Sequence, residues 1–119
     1  MSDRFIQIVF SNPLEGRDDE FNEWYDNVHV PDLLAIPGMV SAQRYEIKDA
    51  QIYHMEGGTA PVHRYAIIYE MEGDVDAILG KIQEGVMAGK ITMADSLDMT
   101  SWQLSFWSPR GTKATGAQS

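Results

Sequence analysis

Apolar and polar positions alternate over residues 4 to 11. Ile6, Ile8 and Phe10 fall on one side, while Phe5, Gln7, Val9 and Ser11 fall on the other. This period of two predicts a strand with one strongly apolar face and one mixed face. Similar alternation predicts strands over 39 to 48, 62 to 72 and 100 to 107. Between the first two, Phe21, Trp24, Tyr25 and Val28 recur at three- and four-residue spacing, the stripe of an amphipathic helix. Asn12-Pro13 and Gly16 form the turn before it, and Asp18 or Asp19 is suited to cap it. A second helix follows the Gly73-Asp74 cap, with Val75, Ile78, Leu79, Ile82 and Val86 as its stripe. Gly80, Gly85 and Gly89 weaken its C-terminal half. Residues 49 to 61 read as a loop in which 51 to 55 can extend a hairpin arm, and 90 to 99 read as a surface crossing. The order strand, helix, strand, strand, helix, strand predicts an α+β, ferredoxin-like βαββαβ domain over residues 1 to 108. It implies an antiparallel four-stranded sheet with two helices on one face. Residues 109 to 119, poor in bulky apolar side chains, read as a C-terminal tail.

The sheet's second face is harder to place. Gln7, Val9, Tyr65, Ile67, Tyr69, Gln103 and Trp107 are expected on the side away from the helices, too aromatic for water and too polar for a dry core. Two such sheets packing across a two-fold axis would cover it, giving a homodimer with an apolar cavity dotted with hydrogen-bonding groups. A filled interface with buried waters explains the same composition. Which face holds Arg44 is left open, because a one-residue slip exchanges it with Tyr45.

The most informative stretch is EFNEWYDNVHVPDLLAIPG, residues 20 to 38. Pro31 lacks an N–H and disfavours helical geometry at Val30, so the helix is expected to stop there with His29 in its last turn. Tyr25 lies four residues before His29, Asp26 three before and Asp32 three after. An imidazole flanked by carboxylates and a phenol suits acid/base chemistry near neutral pH. The same histidine also suits a purely structural role, as a cation at a helix C-terminus. His54 falls in a polar loop and His63 on the third strand, beside Tyr65.

Composition narrows the classes. The 119 residues make one domain of ordinary hydrophobic content, 44%, and charge, 23%. A net charge of −9 argues against nucleic acid and against an anionic membrane surface. No apolar run approaches the roughly 20 residues of a bilayer span, and the N-terminus lacks the marks of a signal peptide. With no cysteine, thiolate chemistry and disulfides are excluded, and a cytoplasmic location is the default expectation. His29, His54 and His63 lie on separate elements, so no metal site is expected.

The pattern Trp24-Tyr25-Asp26-x-x-His29-x-Pro31-Asp32, followed by Ile36-Pro37-Gly38, resembles the EthD-like group of the dimeric α/β-barrel superfamily. The resemblance is strongest over the first 45 residues. It implies a homodimer with a pocket between helix and sheet in each subunit, the helix histidine at His29 and acidic partners at Asp26 and Asp32. Relatives include cofactor-free monooxygenases of polyketide quinones, polyketide cyclases and lactone isomerases. No cofactor is expected, because no haem, flavin or nicotinamide motif is present. The implied ligand is a hydrophobic, oxygenated molecule, aromatic or polyketide-like. His29 would move the proton and Asp26 or Asp32 would fix its tautomer. Tyr25, Tyr65 or Gln43 would donate to an oxyanion, with Phe5, Gln7, Trp24, Ile67 and Trp107 forming the remainder of the site. Cyclase, isomerase and lyase outcomes stay open, as do a monooxygenase and a non-catalytic binding protein.

Overall fold

The computed structural model describes residues 3–117. Strands β1 (Arg4–Pro13), β2 (Met39–Glu46), β3 (Tyr65–Glu72) and β4 (Leu97–Trp107) form one antiparallel sheet in the order β2-β3-β1-β4. Helices α1 (Asp18–Trp24) and α2 (Val30–Leu34), joined by a wider turn at Tyr25–His29, make one helical unit. Helix α3 (Val75–Met87) makes the other. The order expected from the hydrophobic pattern is the observed one, and the fold is α+β and ferredoxin-like. Residues 51 to 54, expected to extend a hairpin, instead form a single 3₁₀ turn. Among the described residues no helix is long and apolar enough to cross a membrane.

The two sheet faces are exchanged relative to expectation. Register sets Phe5 opposite Met71, Gln7 opposite Tyr69, Val9 opposite Ile67 and Ser11 opposite Tyr65. All eight are buried, in one core with Phe21, Trp24, Tyr25 and Leu33 of the first helical unit and Ile78 of α3. The mixed face of β1 is therefore the helix-facing one. Ile6 and Ile8, the apolar side, are only half-buried, and Phe10 is exposed. The reason lies in β3. Paired strands share their faces, and Tyr65, Ile67, Tyr69 and Met71 present far more bulk than Ala66, Ile68 and Glu70, so β3 carries β1 with it. Gln103 and Trp107 pair with Phe10 and Ile6, which puts them on the outer face, away from Gln7 and Tyr69. Arg44 pairs with Ile67 and lies on the helix side; Gln43 pairs with Ile68 and lies outside.

Pro31 does not end the helix. Val30 keeps helical dihedrals, φ −61 and ψ −48, and its N–H donates to the Tyr25 carbonyl five residues back. The turn from Tyr25 to His29 is a π-helical bulge, a means of absorbing proline's missing donor and its clash with the preceding carbonyl without breaking the rod. His29 thus sits mid-helix, and the reading of it as a helix-end cap falls away. Neither Asp18 nor Asp19 is the first cap; Arg17 holds that position, and its side chain does not cap the helix N–H groups. Asp74 does cap α3, accepting from the Ala77 N–H at 2.9 Å. Gly85 is required inside α3, because a Cβ there would meet Ile91 Cδ1 at 2.6 Å. The glycine weakens helix propensity yet allows the 88–96 segment to close over the helix end.

Candidate functional site

A cavity of about 290 Å³ opens between the sheet and the two helical units. Val9, Leu33, Leu79, Ile82, Val86, Ile91, Met93, Met99, Trp102 and Leu104 make its apolar wall. Gln7, Tyr25, His29 and Tyr69 are its polar groups, and among the described residues no carboxylate, lysine or arginine lines it. Two faces meet here by simple periodicity. Gln7 and Tyr69 are cross-strand neighbours on the inner sheet face, while Tyr25 and His29 come from the π turn above them. Leu79, Ile82 and Val86 are the part of the α3 stripe that faces the cavity.

Trp24 locks the imidazole. Its indole stacks on His29 at 4.4 Å, and its N–H donates to the Thr92 carbonyl at 2.8 Å. Tyr25 meets His29 edge-on at 5.5 Å. His29 Nδ1 is buried with no hydrogen-bond partner among the described residues. Neither expected carboxylate reaches it. Asp26 instead pairs with Arg44 at 2.9 Å, and Asp32 is half-buried and acts on the ring only through its field. The wider π turn carries residues three apart onto different sides, so the spacing that suggested a carboxylate–imidazole pair in an α-helix does not produce one.

Burial sets the charge of each polar group. Desolvation pushes the His29 pKa down to about 4, against the weaker pull of Asp32, so the ring is neutral at pH 7. Burial raises the Tyr25 phenol, opposed by a hydrogen bond with Ser11 and by the Arg44 charge. Tyr69 is raised further, by burial and then by neighbouring Tyr25. The cavity therefore offers a neutral acceptor, two protonated phenols and an amide.

Of the residues expected from sequence, Gln7, Tyr25 and His29 line the cavity and Trp24 supports it from behind. Phe5 packs against Phe106 and Ile67 lies in the core, both outside the cavity lining. The Tyr65 hydroxyl donates to Asp18 at 3.0 Å and is held away from the cavity. Gln43 and Trp107 are on the outer face. His63 Nε2 lies 2.7 Å from the Ser101 carbonyl and its ring packs on Phe10, while His54 pairs with Asp49 at the surface. Tyr69, expected on the sheet face away from the helices, lines the cavity because that face turns inward beside Gln7. Met93 could not be placed without knowing how the 88–96 segment crosses, while Met99, Trp102 and Leu104 reach the cavity from β4.

Among the described residues no group of three His, Cys, Asp or Glu side chains could hold a metal ion. No family profile and no curated protein sequence matches the chain. Solved structures do. A candidate monooxygenase from Shewanella loihica superposes with a TM-score of 0.62 at 12% identity, covering 94% of this chain and 99% of its own. An ethyl tert-butyl ether D (EthD) family protein from Bacillus halodurans superposes at 0.54 with 20% identity, covering 91% and 99%. The ferredoxin-like fold implied by the Trp24-to-Asp32 pattern is thus the fold found, and the chain shares it with an EthD-family protein.

Proposed function

We propose that the protein is a cofactor-independent, EthD-like enzyme performing acid/base chemistry on a hydrophobic, oxygenated small molecule of the aromatic or polyketide-like kind. The observation that carries this reading is a neutral imidazole with an unpartnered nitrogen on the wall of a mostly apolar cavity. In the proposed step, His29 accepts a proton from carbon beside a ligand carbonyl. The C–H electron pair moves to the carbonyl oxygen, giving an enolate that Tyr25 and Tyr69 hydrogen-bond, and the imidazolium returns the proton elsewhere on the same molecule. A base of low pKa is weak in the free site, but a negative oxygen forming nearby strengthens it as the reaction proceeds. Isomerisation, cyclisation and elimination all share this step.

Deuterium wash-in from D₂O into cavity-sized aromatic ketones, followed by NMR, tests it. Exchange is expected with the native chain and a loss of roughly 10²–10⁴-fold with His29→Ala. Exchange that is unaffected by His29→Ala would contradict the assignment. Ligand binding without exchange, retained in His29→Gln, would favour a binding protein. The fold shared with a candidate monooxygenase gives one further reading weight, and oxygen consumption with an aromatic hydroquinone would select it.

The same reading includes a homodimer built on the outer sheet face. Phe10, Tyr45 and Trp107 are exposed there beside half-buried Ile6, Ile8 and Ile68. An apolar sheet face of this kind is what an isologous contact covers. Light scattering is expected to give twice the chain mass, falling to one chain mass with Ile8→Glu; a monomeric native chain would contradict the pairing.

A further inference from the structure

Arg44 is a cation placed behind the cavity rather than in it. It projects from edge strand β2 onto the helix side and is largely buried. Its guanidinium carbon lies 4.7 Å from the centre of the Tyr25 ring, 5.6 Å from that of Tyr65 and 5.7 Å from that of Phe21. One nitrogen donates to Asn22 Oδ1 at 2.8 Å and another to Asp26 Oδ1 at 2.9 Å, fixing the plane of the group. Tyr25 is the side chain common to both sides. It lines the cavity, while Arg44 belongs to a separate polar depression bounded by Asn22, Asp26, Tyr45, Glu46 and Tyr65. The only countercharge in direct contact with the guanidinium among the described residues is Asp26, which is exposed and screened by water.

From this placement we propose that Arg44 is a positioning residue that polarises the Tyr25 donor from behind, so that the cavity selects uncharged carbonyl or phenolic ligands whose oxygen becomes negative. A guanidinium lining the cavity would instead trap carboxylates outright. Seated behind a ring, it leaves the cavity formally neutral for entry and acts in proportion to the charge that develops on the bound oxygen. The Arg44 charge opposes the burial effect at both phenols, in the same sense. Asn22 and Asp26, on the helix above, hold the group against the Tyr25 face.

The inference rests on the acid/base reading of the cavity, and its test separates the two. The probe is a set of substituted naphthols of one size and graded acidity, all neutral at the working pH, with affinity measured by calorimetry. In the native chain affinity is expected to rise with naphthol acidity. Arg44→Met is expected to flatten that slope and weaken the most acidic member roughly fivefold, whereas Arg44→Lys, which keeps the charge, restores the slope. Asp26→Asn alters an exposed side chain, removes the countercharge and is expected to steepen the slope, which keeps the test open if Arg44→Met fails to fold. A slope unchanged in both Arg44→Met and Asp26→Asn overturns the inference while leaving the cavity reading intact. If no naphthol binds, the cavity reading fails, and ultraviolet titration of the unliganded protein decides on Arg44. The Tyr25 transition, isolated by difference from Tyr25→Phe, must move up in Arg44→Met, and an unmoved transition overturns the inference.

Discussion

The two faces of the sheet use the same four strands and reach opposite ends. The inner face joins Tyr65, Ile67, Tyr69 and Met71 to Phe5, Gln7, Val9 and Ser11 under the helices. The outer face joins Ile6, Ile8 and Phe10 to Ala66, Ile68, Gln103 and Trp107, and it stays partly open. Judged by hydropathy on β1 alone, the outer face is the more apolar. What decides the core is bulk summed across paired strands, and buried polar atoms are tolerated where they meet partners or a ligand. Gln7 and Ser11 are such atoms, one at the cavity and one against Tyr25. The inner face is therefore core and cavity wall, while the outer face stays partly open.

Substitutions can break that contrast or sharpen it. Ile67→Ala, at a position 1% exposed, is expected to lose about 2–5 kcal/mol of unfolding free energy in denaturant titrations. Its neighbour Ile68→Ala, on the other face, is expected to lose under about 1 kcal/mol at concentrations where the chain is monomeric. Equal losses would erase the distinction between the faces.

The next largest effect is pH-dependent. His29 has its folded-state pKa held at about 4, below the unfolded value of 6.5. Between those values the unfolded chain binds more protons, so the stabilisation is fully present above pH 6.5 and is lost as pH falls toward 4. The span corresponds to roughly 3 kcal/mol. Denaturant titrations at pH 7 and pH 4.5 are expected to show a much smaller drop for His29→Gln than for the native chain.

Smaller effects concern ligand alone. Gln7→Leu removes an amide from the cavity wall and is expected to weaken a bound naphthol by about fivefold, near 1 kcal/mol. Gln43→Ala on the outer face is expected to leave that affinity unchanged, as calorimetry would show.

Much of this was legible in the chain itself. Strand and helix order followed from periods of 2 and 3.6, and the α3 stripe and the Asp74 cap stood where the pattern placed them. His29, Tyr25 and Gln7 were reachable as candidates for the site. Face assignment was not, because it depends on register between β1 and β3, which no single strand encodes. The π turn was equally hidden. Pro31 argues for a stop, and only packing of Trp24, Tyr25 and Leu33 into one core keeps the rod continuous through it. The same turn separates Asp26 from His29, so the missing carboxylate–imidazole pair and the unbroken helix share one cause.

The most direct measurement is a ¹⁵N NMR titration of the His29 ring in the native chain, with and without a naphthol in the cavity. Both nitrogens are expected to report a neutral ring down to about pH 4, with the shifts perturbed when the ligand binds. A ring that titrates near 6.5 and ignores the ligand would contradict the neutral, ligand-facing imidazole on which the proposed chemistry stands.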